Sequence, residues 1–173
     1  MMRCLAPLPL LLVLSACAGA PALPVAPIAA AAAPRFDPLV FFAGRTEGRG
    51  RLAKLLSGTS PILVEGRGRM EGGALHLVQT VTLAGKKPST REWVIRQVRP
   101  GAYGGTLTDA EGAVTGETSG NRLHLAFTMK GGLPVEQWLT LSPDGQRAYN
   151  VMTVRKFGVT VAALSEDIRR LPG

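Results

Sequence analysis

Cysteine, histidine and acidic residues are scarce in this chain of 173 residues. It has two Cys and two His, and 12 Asp and Glu against 20 Lys and Arg. Two cysteines are too few for a disulfide framework or a structural zinc site. Neither histidine has a neighbour at metal-ligand spacing, so no metal or other cofactor is predicted. A hydrophobic content of 46% argues against wholesale disorder, and the length suits one domain.

Motifs for catalysis and phosphate binding are missing as well. No G-x-S-x-G elbow occurs, and the Gly-Arg repeats at 48–51 and 66–69 lack the Lys-Ser or Lys-Thr that completes a P-loop. Most acidic residues lie beside Gly, which suits turns better than paired acid–base chemistry. The sequence therefore predicts no catalytic residue, no enzymatic activity and no nucleic-acid partner.

The amino terminus has the layout of an export signal. Arg3 gives a positive start, residues 5–14 are apolar, and Ser15-Ala16 place small residues just before Cys17. The apolar run is about half of the ~20 residues that a membrane-spanning helix needs. Residues 1–16 are therefore predicted to be a signal peptide that is cleaved between Ala16 and Cys17.

Leu-Ser-Ala-Cys closely resembles a bacterial lipobox. In that class of protein the cysteine carries a thioether-linked diacylglycerol and becomes the first mature residue. The resemblance implies that Cys17 is the lipid attachment site and that the protein is held in a bacterial envelope. Ala18 stands where lipoproteins retained at the inner membrane usually carry Asp, which favours the outer membrane, with the protein facing the periplasm.

Residues 17–34 are predicted to be an Ala/Pro-rich tether. This stretch has no charge and no aromatic residue, and four prolines block a long helix. An extended chain of this composition rises ~3.1 Å per residue, so it spans on the order of 50 Å. Residues 35–173 then form a single domain.

Period-two alternation of apolar and polar residues recurs through this domain. It occurs at 75–83, 122–129, 135–141 and 157–163, and Gly-rich or Asn-containing turns separate the runs. Strand, turn and strand repeat about every ten residues, which predicts an antiparallel meander. A mainly β, up-and-down barrel of about 8–10 strands removes exposed edges most economically. A two-sheet β-sandwich is the alternative.

Two segments also fit short helices. Leu52, Leu55 and Leu56 have helical spacing and stop at Gly58, and Ser165-Glu166-Asp167 followed by two arginines is typical of a capped helix. Either segment could equally be the irregular end of a strand.

Short motifs scattered over nearly all of the domain match one known family. They are Phe41-Phe42-Ala43-Gly44, Gly72, Arg91-Glu92-Trp93, Tyr103-Gly104-Gly105, Gly120-Asn121, Trp138, Asn150 and Lys156-Phe157-Gly158-Val159. By these motifs the domain resembles a proteobacterial lipoprotein family known as domain of unknown function 3833. The family tends to carry acidic residues near the second long strand and before the later Trp, where this chain has Gln79 and Glu136-Gln137. The resemblance implies a lipocalin-like (calycin) barrel in an envelope lipoprotein, and it implies no established activity.

Aromatic, amide and basic residues on the predicted strands are the best ligand-binding candidates. Gln79 interrupts an apolar face and Gln137 shares one with Val135 and Leu139. A few polar groups in an apolar lumen would orient a mostly apolar ligand. Alternatively, the tryptophans plug the core, because small barrels are often filled by their own side chains. The candidates are Gln79, Arg91, Trp93, Tyr103, Gln137, Trp138 and Asn150.

These sequence features are consistent with three alternative functions. The leading hypothesis is a barrel that binds or shields a small hydrophobic molecule, such as a lipid or fatty acyl chain. The second is a structural or interaction module whose basic surface contacts anionic lipid headgroups or lipopolysaccharide, since basic charge favours phosphate-rich surfaces. The third, an accessory enzyme of lipid modification, ranks last.

Overall fold

The computed structural model describes residues 20–173. The predicted signal peptide, its cleavage site and Cys17 lie outside the described residues. Within them the chain forms one short helix and ten strands. Their bounds are α1 Pro38–Phe41, β1 Gly44–Lys54, β2 Gly58–Glu71, β3 Ala74–Leu83, β4 Ser89–Arg99, β5 Ala102–Leu107, β6 Ala110–Ser119, β7 Arg122–Met129, β8 Leu133–Leu141, β9 Arg147–Lys156 and β10 Val159–Leu171.

The ten strands form one closed antiparallel barrel. Each strand pairs with its neighbours in the chain, and β1 pairs with β10 to close the ring. This arrangement confirms the predicted up-and-down, lipocalin-like barrel and excludes the two-sheet sandwich. No helix in residues 20–173 has the length and apolar character to cross a bilayer.

Side-chain alternation decides what lies inside the barrel. In β3 the side chains of Leu75, Leu77 and Gln79 are buried, whereas those of His76 and Val78 are only half-buried. Successive side chains of a strand point to opposite faces, so the first three line the lumen. The same rule holds in most of the other strands.

Neither segment that fitted a short helix forms one, because the first runs from the end of β1 into the turn at 55–57 and the second lies within β10. Leu52 lies in β1 opposite Leu164 of β10, and Glu166 lies opposite Gly50 of β1 and Asn150 of β9. Pairing on both sides overrides the weak helical preference of a short segment. The run predicted at 157–163 also starts later, because Phe157 and Gly158 form the turn that precedes β10.

One end of the barrel, which we call the plugged end, is filled by aromatic side chains. Asp37 caps α1 by accepting a hydrogen bond from the Leu39 amide at 2.9 Å. Phe36, Phe41 and Phe42 are buried around this short helix. The Phe42 carbonyl lies so close to Gly68 that a Cβ there would be 2.0 Å from the oxygen. Glycine in β2 thus lets α1 close this end.

The tether also contacts the plugged end. Asn121, in the turn between β6 and β7, donates to the Ala29 carbonyl at 3.0 Å, and its side-chain oxygen accepts from the Ala31 amide at 2.7 Å. The Phe36 amide donates to the Gly120 carbonyl at 2.9 Å. The last part of the predicted tether is therefore docked onto the barrel.

The opposite end, which we call the lysine end, carries five connections, namely 55–57, 84–88, 108–109, 130–132 and 157–158. Apolar side chains near this end are only partly buried. They belong to six strands and form an apolar mouth, made of Leu52, Ile62, Val81, Leu83, Met129, Leu133 and Met152.

Candidate functional site

Six of the seven predicted ligand-binding residues lie on the inner face of the barrel. Their side chains come from five different strands and converge in or near its middle. They are Gln79 on β3, Arg91 and Trp93 on β4, Tyr103 on β5, Gln137 on β8 and Asn150 on β9. Their roles as ligand-binding residues stay predictions.

Gln79 fixes the orientation of two neighbours. Its side-chain oxygen accepts one hydrogen bond from the Arg91 Nε at 2.9 Å and another from the Trp93 Nε1 at 2.8 Å. Gln79 and Arg91 lie directly opposite each other on paired strands. Trp93 is held on its other side by Phe127, whose ring is edge-on at 5.6 Å. The three polar side chains of this group form one rigid unit.

This unit leaves the outer part of the Arg91 guanidinium without an anionic partner. Only its Nε makes a hydrogen bond to a residue in 20–173, and no carboxylate oxygen in that range lies within 4.0 Å. Burial lowers the pKa of Arg91 from its usual value. A lumenal cation costs free energy unless an anion or water meets it, so Arg91 is the strongest ligand-binding candidate.

Glu166 is the acidic group of the lumen, and sequence reasoning missed it. It is 4% exposed, and the Asn150 Nδ2 donates to its carboxylate at 3.0 Å. Gly48 of β1 makes room for it, since a Cβ at Gly48 would lie 1.9 Å from the carboxylate oxygen. Burial raises the pKa of Glu166, although the hydrogen bond from Asn150 and the charge of Arg91 oppose this effect.

Besides the outer nitrogens of Arg91, one atom of Asn150 also lacks a hydrogen-bond partner among the described residues. Its residue is 2% exposed, and its side-chain oxygen is the one buried side-chain N or O atom in residues 20–173 without a hydrogen-bond partner. Buried polar atoms are nearly always paired with protein or ordered water. The polar centre of the lumen therefore has unused capacity for both donation, at Arg91, and acceptance, at Asn150.

The free space around this polar centre is small. A void of about 40 Å³ is lined by Gln79, Arg91, Trp93, Gln137 and Glu166, together with apolar side chains of the core. It has room for a few water molecules or a small polar head group. A complete small-molecule site usually occupies roughly 300 Å³ or more. The lumen of this structure is therefore largely filled by its own side chains.

More space opens toward the lysine end. A hollow of about 230 Å³ lies between the first hairpin and the connection after β3. Leu52 and Leu83 supply its apolar lining, and Lys54, Ser60 and Lys86 supply its polar lining. An apolar chain that extends from the void beside Arg91 to this hollow would pass the side chains of the apolar mouth.

Tyr103 belongs to the plugged end rather than to the polar centre. It is 5% exposed and lies opposite Gln97 on β4 and Gly116 on β6. Burial, helped by the negative charge of Asp37, raises the pKa of its hydroxyl. Tyr103 therefore packs beneath α1 and does not line the void beside Arg91.

Trp138 lies on the outer wall, and the expectation that it would line or plug the lumen is wrong. Val135, Gln137 and Leu139 of the same strand face inward, so Trp138 must face outward. Its ring stacks on His124 at 4.1 Å, and the Arg122 guanidinium lies 4.4 Å from the ring centre. His124 also contacts the Glu136 carboxylate. These residues form a separate outer cluster.

A comparison with known protein families identifies the family of this chain. The model of the family "Protein of unknown function (DUF3833)" matches residues 11–170. This chain is a member of the DUF3833 family. Membership confirms the resemblance found in the scattered residue matches. A search of curated proteins finds no match.

Among solved structures, this DUF3833 protein is similar to an S-type phycobiliprotein lyase from Guillardia theta. The TM-score is 0.60 at 4% sequence identity, and the match covers 78% of this chain and 91% of the lyase. Identity this low establishes a shared lipocalin-like fold and nothing about activity.

Residues 20–173 contain no group of three or more His, Cys, Asp or Glu side chains placed to hold a metal ion. The titratable groups that the lumen does offer are Arg91, Glu166 and Tyr103.

Proposed function

We propose that this protein is a bacterial envelope lipoprotein whose barrel binds a small amphipathic molecule with an acyl-type tail and an acidic head group. The observation that carries the proposal is Arg91, a lumenal guanidinium that Gln79 orients and that no carboxylate in residues 20–173 meets. A guanidinium donates two parallel hydrogen bonds to a carboxylate, which makes it the preferred partner for such a head group.

The surroundings of Arg91 favour an anion that arrives from outside. Glu166 is the acidic group nearest to this role within the lumen, but burial raises its pKa and so weakens its negative charge. The Asn150 Nδ2 donates to that carboxylate, and no ion pair within 4.0 Å joins it to Arg91 in residues 20–173. The Arg91 charge is therefore available to a ligand.

The dimensions of the lumen place the two parts of the ligand. The void of about 40 Å³ beside Arg91 has room for a carboxylate head group only. The tail then extends through the apolar mouth toward the hollow of about 230 Å³. Flexible side chains such as Met129 and Met152 can move aside for it, since methionine adapts to irregular apolar shapes.

The proposal keeps the predictions about the amino terminus. Cys17 carries the lipid, the tether links it to the barrel, and the anchor lies in the outer membrane. Several acyl chains bind a bilayer firmly because each buried CH₂ contributes about 0.8 kcal/mol. The barrel binds its ligand without chemical conversion, because the polar side chains that line the void, Gln79, Arg91, Gln137 and Glu166, supply recognition.

Lipid extraction and mass spectrometry of the purified protein test this function. We expect an acidic lipid or fatty acid to copurify with the wild-type protein and to be depleted in Arg91→Gln. Arg96→Gln is the matched control, because Arg96 lies on the exposed outer wall of the same strand. If the wild-type protein and both variants are equally empty, the proposed function is wrong.

A second candidate is a structural or interaction module without a lumenal ligand. The filled lumen favours it, since the void of about 40 Å³ lies far below the size of an ordinary ligand pocket. Its basic outer surface would then contact anionic components of the envelope. An empty purified protein that still binds anionic lipid vesicles would support this candidate.

A further inference from the structure

The lysines of this chain are gathered at one end of the barrel. All five lie on or next to the connections of the lysine end, namely Lys54, Lys86, Lys87, Lys130 and Lys156. Within residues 20–173 none of them lies within 4.0 Å of a carboxylate, whereas five arginine–carboxylate pairs do. The acids of these connections and their flanks are Asp109 and Glu111. The lysine end therefore has a clear positive excess.

Two large apolar side chains project from the same end. Leu56 is 86% exposed and Phe157 is 94% exposed, each at the tip of a hairpin. The two hairpins are neighbours around the barrel, because β1 pairs with both β2 and β10. Their tips thus form one apolar patch beside the lysines.

The backbone at both tips is unusual. Leu56 has φ of 67° and Phe157 has φ of 50°, and they are the two non-glycine residues with positive φ in the described part of the chain. A two-residue turn of this kind prefers Asn before Gly, where this chain has Phe157 before Gly158. A bulky side chain there costs stability and stays outside the core, with the Lys156 amine 5.6 Å from its ring centre. Such a strained, exposed position indicates a function outside the fold.

An anionic bilayer matches both features of this surface. Lysine amines contact lipid phosphates, and each basic residue near an anionic membrane strengthens binding about fivefold. Exposed Leu and Phe side chains enter the boundary between head groups and acyl chains. A protein partner would need a recess for each tip together with acidic groups, whereas a bilayer supplies both everywhere.

The path of the tether supplies an independent argument. Pro21, Leu23 and Pro24 share a surface hollow with Leu55 and Leu56 of the first hairpin. The described chain therefore begins beside the lysine end, although Ala29–Ala31 bind the plugged end. If Cys17 is anchored as proposed, the anchor and the lysine end face the same membrane.

We propose that the lysine end is a membrane-docking surface that binds an anionic phospholipid bilayer through its five lysines and through Leu56 and Phe157. Docking in this direction turns the apolar mouth toward the bilayer. This inference does not depend on whether the lumen holds a ligand, so it can fail or succeed separately from the proposed function.

Site-specific photo-crosslinking of the full chain tests the docking surface. Benzoylphenylalanine is placed at Phe157 or at Leu56, and at Val98 as the control, because Val98 is 63% exposed near the plugged end. The chains are reconstituted into phosphatidylcholine vesicles with or without phosphatidylglycerol and then irradiated. We expect phospholipid adducts at 157 and 56, and almost none at 98, with the highest yield in anionic vesicles.

Charge variants then test the contribution of the lysines. Lys86→Gln combined with Lys87→Gln should lower the adduct yield at 157 by roughly tenfold or more in anionic vesicles. Arg96→Gln combined with Arg99→Gln, near the plugged end, should leave it unchanged. Equal adducts at 98 and 157, adducts to protein in place of lipid, or no adduct at either tip would overturn the proposal.

Discussion

The two ends of this barrel use the same kinds of residue in opposite ways. At the plugged end, Phe36 and Phe41 are turned inward and are at most 3% exposed. At the lysine end, Leu56 and Phe157 are turned outward and are more than four-fifths exposed. Aromatic burial at the first end stabilises the fold, because each buried aromatic ring removes a large apolar area from water. The outward apolar tips at the lysine end stay exposed in the folded protein. We therefore assign them to contact with the bilayer.

The largest expected effect is a loss of stability at the plugged end. Phe36→Ala should lower the free energy of unfolding by about 3–5 kcal/mol, since it removes a fully buried ring and leaves a cavity. Phe157→Ala, at the lysine end, should change it by less than about 0.5 kcal/mol because the side chain is exposed. Urea unfolding followed by tryptophan fluorescence measures both. Comparable losses in the two variants would remove the contrast between the ends.

A substitution at Gly48 tests the packing around Glu166, in the polar centre of the lumen between the two ends. Gly48→Ala places a Cβ 1.9 Å from the Glu166 carboxylate and should destabilise the barrel by about 1–3 kcal/mol through overpacking. Gly104→Ala is the matched control, because its Cβ would meet the exposed Val98 side chain at 3.3 Å and the Val114 carbonyl oxygen at an ordinary contact distance of 3.9 Å. Thermal unfolding of both variants checks this prediction, and equal melting temperatures would contradict it.

Glu166 also gives the stability a pH dependence. Burial raises the folded pKa of Glu166 above its usual value. Its favourable contribution is therefore complete below that value and is lost as the pH rises through the folded pKa. Glu166→Gln removes this titration and keeps an oxygen for Asn150. We expect the variant to gain stability relative to wild type as the pH rises, and to show little gain in acid.

Chemical denaturation of Glu166→Gln and of wild type across this pH range is the measurement. A difference in stability that is constant with pH would show that Glu166 does not titrate with a raised pKa. A difference that shrinks as the pH rises would reverse the sign of the prediction and contradict it.

The smallest expected effect is a gain of stability at the lysine end. Phe157→Asn places a residue that tolerates positive φ at a turn where φ is 50°. It should raise the free energy of unfolding by about 1 kcal/mol and should weaken membrane contact at the same time. Calorimetry and vesicle binding measure the two effects. If Phe157→Asn is less stable than wild type, backbone strain at Phe157 does not lower the stability of the wild-type protein.

The strand pattern predicted the barrel well because most of its strands alternate strictly. Gly72-Gly73 and Gly120-Asn121 fall at turns as expected, with positive φ at the glycines. Alternation along β8 also places Trp138 and Gln137 on opposite faces of the sheet. The expectation that both residues line the lumen was therefore inconsistent with the predicted strand itself, and the structure places Trp138 outside.

Glu166 could not be predicted from local sequence. Its neighbours Ser165 and Asp167 fit a capped helix, and nothing nearby in the chain indicates that Gly48 lies beneath the carboxylate. That contact joins strands at opposite ends of the domain sequence. The gathering of lysines at one end is likewise visible only once the hairpins are placed.

The most direct test of the account is the affinity of a fluorescent fatty acid such as parinaric acid for the purified protein. We predict saturable binding to wild type and to Arg96→Gln, and an affinity about tenfold to a hundredfold lower for Arg91→Gln, because a charge-assisted hydrogen bond contributes about 1.5–3 kcal/mol. Saturable binding that is equally tight in Arg91→Gln, or no saturable binding to wild type, would contradict the account.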